Sequence, residues 1–193
     1  MRVLIACEFS GRVRQAFRDK GHDAWSCDLR KADDRSKYHC RCDARELLDL
    51  GWDLLIAHPP CTYLCVPGAH YLNTQEGRIE KMLRARDFFM TFWEYPIPKI
   101  CVENPVPHKK ARLPRYSQII SPYMFGECYS KRTCLWLKGL PLLEAIDIKE
   151  FKGDRYIRKD GSASNSKWYA KSNARERSIT FSGIAKAMAE QWG

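Results

Sequence analysis

The chain reads as an α/β protein built on a doubly wound, mainly parallel sheet. Three observations predict this. Short continuous apolar runs recur at 2–7, 52–57 and 99–103, as expected of strands covered on both faces. The stretches between them carry helical spacing. The two later runs each lead straight into a proline-bearing loop, His58-Pro59-Pro60-Cys61 and Glu103-Asn104-Pro105. Strand and helix alternate along this half of the chain, which places the strands parallel.

The elements follow in order. Residues 2–7 form the first strand, and Ser10-Gly11 breaks it. A helix is expected over 11–20, with Ser10 as its N-cap. Gly21 ends that helix, and 23–28 reads as a second strand finishing at Asp28. Residues 30–41 are polar and read as loop. Asp43 caps a short helix, 44–50. After the strand 52–57 comes a long loop, 58–75, carrying Pro59, Pro60, Pro67 and Gly68. Residues 76–94 place Ile79, Met82, Leu83, Phe89, Met90 and Trp93 at helical spacing, a stripe that belongs in a core. The strand 99–103 follows, and 133–137 looks like another. Residues 149–178 are rich in Lys, Arg, Ser, Gly and Asn, with Tyr156, Trp168 and Tyr169 interleaved. Residues 179–192 close the chain as an amphipathic helix. There is no internal repeat, and the 193 residues are read as one domain.

Composition narrows the partners. Lys and Arg number 33 against 23 Asp and Glu, a net charge of +10, which favours a polyanion such as nucleic acid. The basic, aromatic-dotted segment is where phosphates and bases are expected to be held. Its candidates are Arg155, Arg158, Lys159, Lys167, Trp168 and Lys171. Nine cysteines, an odd number, with several inside apolar runs and no signal-like start, argue for free thiols in a reducing cytoplasm. No apolar stretch approaches membrane-spanning length.

Open α/β sheets build their sites at the carboxyl ends of strands. One proline loop here delivers a cysteine, the other a glutamate. A thiolate beside a carboxylic acid can attack an electron-poor ring while the acid holds the ring nitrogen. Asp28, at the end of the second strand, can accept hydrogen bonds from ribose hydroxyls. Asp43 reads equally as a helix cap or as a contact to an adenine amino group. Glu8-Phe9-Ser10-Gly11-Arg12 contains one glycine, a weak phosphate-loop signal.

These residues carry a resemblance. The chain resembles the catalytic core of the DNA (cytosine-5) methyltransferases, in the form of a small phage or bacterial member lacking a full target-recognition region. Phe9-Ser10-Gly11 is similar to the family's cofactor loop. Asp28 and Asp43 fall where it has its ribose-binding and adenine-binding acids. Pro60-Cys61 matches its nucleophile motif, with Thr62 where glutamine is common. Glu103-Asn104 matches its Glu-Asn motif. Arg132, in Ser130-Lys131-Arg132 before a late strand, is similar to the arginine that helps hold the flipped cytosine. Ala185-Lys186-Ala187-Met188-Ala189 resembles the closing helix.

The resemblance implies a Rossmann-like, S-adenosylmethionine-dependent methyltransferase fold over 1–193, with 138–178 as a short basic insertion. It implies methyl transfer to C5 of cytosine in double- or single-stranded DNA. Cys61, Glu103 and Arg132 would be catalytic, and Phe9, Ser10, Gly11, Asp28, Asp43 and Pro60 would line the cofactor. Cys65, on the same loop as Cys61, is read as a bystander.

Other readings stay open. The Cys–Glu pair suits a free cytosine nucleotide as well as a polymer, and a non-catalytic DNA-binding or regulatory protein could retain the fold. A structural zinc site would use His39, Cys40 and Cys42 at unusually tight spacing. A zinc deaminase is disfavoured, because three residues separate Cys61 from Cys65 and no upstream His-x-Glu exists.

Overall fold

The computed structural model describes residues 1–146 and 172–193 in full, and the backbone of Arg155–Ile157 and Ala163–Ser166. Its main strands are β1 (Arg2–Ala6), β2 (Asp23–Cys27), β3 (His39–Cys40), β4 (Leu54–Ala57), β5 (Lys99–Pro105), β6 (Gln118–Ile120) and β7 (Thr133–Lys138). They form one sheet in the order β3-β2-β1-β4-β5-β7-β6. The first five strands pair parallel. The seventh inserts antiparallel between β5 and β6. The doubly wound, mainly parallel sheet expected from the sequence is therefore what the chain forms. Two short strands add to those expected: β3, of two residues, falls in the stretch 30–41 that reads as loop, and β6 has three residues, both too few for an apolar period to show. A separate antiparallel pair joins β8 (Arg155–Ile157) to β9 (Ala163–Ser166).

Alternation along the strands divides the core in two. Val3, Ile5, Leu54, Ile56, Cys101 and Leu135 face one side. That side is covered by α1 (Arg12–Asp19) and by the closing helix, which is preceded by the short α3 (Ala174–Ser178) and is numbered α4 (Ser182–Trp192). Leu4, Ala6, Leu55, Ala57, Ile100, Val102 and Trp136 face the other side, beneath α2 (Arg78–Glu94).

The apolar stripe expected on α2 is only partly buried. Met82 and Phe89 are buried and Phe92 joins them, but Ile79 is 56% exposed and Leu83 43%. Phe89 packs edge-on against Trp136, with ring centroids 4.9 Å apart.

The expected closing helix starts later than its sequence suggests. Asn173 and Glu176 form a reciprocal capping box on α3, and Ile179 then turns extended. Only at Ser182 does helix resume. Gly183 lets α4 press onto the turn Pro122–Phe125, since a Cβ there would run into the Phe125 carbonyl. Trp192 Nε1 donates to the Pro141 carbonyl at 3.2 Å and fixes the other end. The short helix after Asp43 is a single 3₁₀ stretch, Ala44–Leu47, capped by Asp43 as expected. This scaffold brings the carboxyl ends of β1, β2, β4 and β5 to one edge of the sheet.

Candidate active site

Parallel register sets the site. Ala57 of β4 lies opposite Val102 of β5, so the next residues, His58 and Glu103, emerge together. Both continue the parity of Ile56 and Cys101, which face α1 and α4. His58 Nδ1 lies 3.2 Å from Glu103 Oε2. The His58 amide donates to the Ala6 carbonyl at 2.9 Å, extending the β1–β4 ladder. Asn104 Nδ2 donates to the Pro59 carbonyl at 2.8 Å, tying the start of the cysteine loop to β5.

Cys61 opens a tight turn. The amides of Leu64 and Cys65 both donate to its carbonyl, at 3.0 and 3.1 Å. A 3₁₀ stretch, Val66–Asn73, follows. The loop is long, as its prolines suggest, but it is bonded along its length. Val66 N donates to Val106 O, and His108 N to Leu64 O. Arg78, at the start of α2, donates to the Thr62 carbonyl at 3.1 Å, with its guanidinium 4.4 Å from the Tyr63 ring centre.

The two loop cysteines behave as one unit. A hydrogen bond with Cys65, then burial, raises the Cys61 thiol well above its ordinary range. The same hydrogen bond lowers Cys65 to about 7, against its burial and helped by the Gly68 amide and the charge of Arg78. Cys61 is the donor and Cys65 the acceptor. Cys65, read from the sequence as a bystander, is thus electrostatically coupled to Cys61 across the turn that the Leu64 and Cys65 amides close. At Glu103, burial pushes the carboxyl upward, but the His58 hydrogen bond and the charge of Lys131 outweigh it, and the net direction is down. Near neutral pH the site holds a neutral thiol, a sulfur poised to accept its proton and an ionised carboxylate.

Lys131 and Thr133 line a small cleft with Glu103, whose lining also includes Thr180, Phe181 and Met188. Arg132 is exposed and is not among the residues that line the cleft. Strand parity accounts for this. Thr133 and Leu135 share the face of Glu103, and stepping back by two reaches Lys131, not Arg132. The same parity argument, applied to β4, would have singled out His58 from the sequence.

The cofactor-side candidates gather at the ends of β1, β2 and β3. Gly11 takes φ +73° at the β1–α1 turn, and a Cβ there would collide with the Arg14 guanidinium. Phe9 is buried, with Arg30 and Arg175 stacked 5.1 and 5.3 Å from its ring centre. Ser10 Oγ donates to Glu8 Oε1. Asp28 is half-buried, and its Oδ1 accepts from the Arg30 amide at 2.8 Å. Asp43 is occupied locally, capping its 3₁₀ stretch and pairing with Arg45 at 2.6 Å. Pro60 is exposed beside Tyr63 and Phe88.

Of the residues the resemblance assigns to S-adenosylmethionine, Asp28 stands at the tip of β2 with a described hydrogen bond on one carboxylate oxygen, where the other could meet a ribose hydroxyl. The start of α1 differs from a glycine-rich loop, because the Glu8 carboxylate already occupies the α1 amides of Val13 and Arg14.

Among the nucleic-acid candidates, Arg158, Lys159, Lys167, Trp168 and Lys171 lie outside the described residues, and Arg155 is described only as the first residue of β8. Among the described residues no group of three or more His, Cys, Asp or Glu is placed to hold a metal ion; His39 instead bonds Ser26 and the Arg30 carbonyl. No described helix is long and apolar enough to cross a membrane.

No protein-family model and no curated protein matches the sequence. Solved structures do. One described as a DNA modification methyltransferase encoded within an E. coli prophage superposes with a TM-score of 0.50 at 14% identity. The match covers 78% of this chain and 52% of that one, so this chain spans about half its length. The bifunctional kinase-methyltransferase WbdD matches at a TM-score of 0.39 and 12% identity, over 74% of this chain and 35% of that chain. The first likeness shows the fold. This is the Rossmann-like methyltransferase fold, as the resemblance implied, with an antiparallel seventh strand between the fifth and sixth.

Proposed function

We propose that this protein transfers a methyl group from S-adenosylmethionine to C5 of cytosine in DNA, through a covalent adduct on Cys61. One observation carries the reading. Cys61 follows β4 and Glu103 stands on the neighbouring parallel strand β5, at the same edge, close enough for the Glu103 charge to act on the Cys61 thiol. A thiol nucleophile and a carboxyl for the ring nitrogen are what addition to a pyrimidine needs.

The chemistry follows from the site's protons. The Cys61 sulfur bonds to C6 as the C5–C6 double bond opens. Its proton passes to Cys65, the acceptor already hydrogen-bonded to it. Glu103, ionised at rest, takes up a proton from solvent as the ring binds and gives it to N3, which keeps negative charge off the ring. Lys131, in the same cleft, offsets charge that builds there. When bound, S-adenosylmethionine supplies the methyl group. The C5 proton then passes to water, the S–C6 bond breaks as the C5–C6 double bond re-forms, N3 gives its proton back through Glu103, and the departing Cys61 sulfur recovers its proton from Cys65. In duplex DNA the cytosine must first leave the stack, at about a few kcal/mol. The net charge of +10 and the basic run 149–178 support a polymer substrate. The structural neighbour's description as a DNA modification methyltransferase agrees with a DNA substrate.

The test is trapping. An oligonucleotide carrying 5-fluorocytosine holds the adduct, because fluorine does not leave as a proton does. With S-adenosylmethionine present, the wild type should yield a covalent complex mapped to Cys61, and Cys61→Ser should yield none. Trapping of a free 5-fluorocytosine nucleotide but not of DNA would keep the Cys–Glu chemistry and reject the polymer. Trapping of neither would favour a non-catalytic protein.

A further inference from the structure

We infer that His58 is the positioning residue of Glu103: it claims one carboxylate oxygen, so that the other is the one presented to the substrate ring. This rests on the cytosine reading for what the ring is, but not for the coupling between the two side chains.

The geometry is specific. His58 Nδ1 stands 3.2 Å from Glu103 Oε2, and its side chain is 93% buried by its 7% exposure. A carboxylate carries no hydrogen, so the donor on that line is the Nδ1–H. The other ring nitrogen, Nε2, is buried with no hydrogen-bond partner among the described residues. Buried polar atoms are rarely left in this state, and exceptions concentrate where a side chain serves a site. The ring is not held by its far end. It is held by its place at the end of β4 and by its bond to Glu103. Glu103 in turn has only one oxygen engaged by a side chain in the described hydrogen bonds. Oε1 is the oxygen free to meet N3, and Glu103 itself lines the cleft with Lys131 and Thr133.

Two effects follow from losing the donor. The carboxyl becomes free to rotate, which weakens transition-state contact. It also holds its proton to higher pH, because one of the two partners that favour the charged form is gone. The other partner is Lys131, just ahead of β7. The remaining titratable groups around Glu103 are thiols: Cys101 on β5 itself, Cys134 on β7 and Cys61 on the loop.

The experiment titrates Glu103 directly in the whole protein. With glutamate labelled at the side-chain carboxyl carbon, the Glu103 resonance is assigned by its loss in Glu103→Gln and followed against pH. His58→Phe, close in size and without a donor, should move the midpoint up by about one unit. His58→Gln, which keeps a donor, should restore part of the difference. In adduct trapping, His58→Phe should lower the maximal rate and move the pH profile in the same direction, with oligonucleotide affinity unchanged. An unmoved Glu103 midpoint overturns the inference, whatever happens to the rate. A moved midpoint in a protein that traps no cytosine supports the coupling and rejects the cytosine reading instead. Should His58→Phe not fold, the reciprocal measurement stands in: nitrogen shifts of the His58 ring should report an Nδ1–H tautomer in the wild type and its loss in Glu103→Ala, which leaves no acceptor there. Identical ring shifts in both would overturn it equally.

Discussion

Glu8 caps helix α1 with its own side chain, Oε1 accepting from the Val13 amide at 2.7 Å and Oε2 from the Arg14 amide at 3.2 Å. The carboxylate is 4% exposed and sits at the positive end of the helix, satisfying two amides that would otherwise be orphaned. A protein with this arrangement does not offer α1 to an external anion. Glu8→Ala should therefore cost about 1–3 kcal/mol of stability, from lost charged hydrogen bonds. Urea unfolding at unchanged slope reads this. An unchanged midpoint would mean that the helix start does not depend on this cap.

Asp28 and Asp43 should separate in their effects on cofactor binding. Asp28 has a described bond on one oxygen only, to the Arg30 amide, so its other oxygen is available to a ribose hydroxyl. Asp28→Ala should weaken S-adenosylmethionine binding by about 1–3 kcal/mol in calorimetric titration. Asp43 is engaged with Arg45 and with its own cap, which hold its carboxyl below the usual range. Asp43→Ala should act mainly on stability, by about 0.5–2 kcal/mol. Equal losses of affinity in the two variants would restore an adenine-side role to Asp43.

Much of this site is legible from residue parity, provided the register is known. The apolar runs announced β1, β4 and β5, and the proline loops announced the edge where Cys61 and Glu103 meet. What the sequence lacked was alignment between strands. Once Ala57 faces Val102, His58 must stand beside Glu103, and Lys131 rather than Arg132 must share its face. The Cys61–Cys65 contact was hidden for a different reason. It depends on a turn whose amides close on the Cys61 carbonyl, and a loop with three prolines gives no periodic signal for that. The exposure of Ile79 and Leu83 shows the limit of helical spacing: α2 buries Met82, Phe89 and Phe92 with Met90 and Trp93 packed beside them, and leaves Ile79 and Leu83 in solvent.

That division gives a paired stability test. Phe89 is fully buried against Trp136. Phe89→Ala should cost about 3–5 kcal/mol through lost burial and the cavity left behind. Ile79→Ala, on the exposed side of the same helix, should stay within about 0.5 kcal/mol of wild type. Thermal or urea unfolding of both reads the contrast. Comparable losses would place Ile79 in an interface that this chain does not itself provide.

Nucleic-acid affinity should be electrostatic. Reversing the charge at Arg155, Arg158 and Lys159 together should weaken DNA binding and flatten its dependence on salt, since fewer counterions are released. Fluorescence anisotropy across a salt series measures both. Binding that is independent of salt, or untouched by the triple reversal, would move the DNA contact elsewhere on the surface.

The last prediction concerns the order in which the two loop thiols ionise. Cys65 accepts the hydrogen bond and is lowered to about 7, while Cys61 donates and is raised. Alkylation by iodoacetamide follows the thiolate, not the thiol. The rate at Cys65, mapped by mass spectrometry, should rise with pH through about 7 and then level off. Cys61 should stay slow over the same range. In Cys65→Ser the inflection near 7 should vanish, because a serine hydroxyl does not ionise there. Trapping of 5-fluorocytosine by Cys61 should then slow at neutral pH, for want of a group to take its proton. If instead Cys61 alkylates first, the direction of the hydrogen bond is reversed and Cys65 becomes the donor. If Cys65→Ser traps at the wild-type rate, the Cys61 proton leaves by another route, and Glu103, the ionised carboxylate on the same edge, is the base to examine by Glu103→Gln.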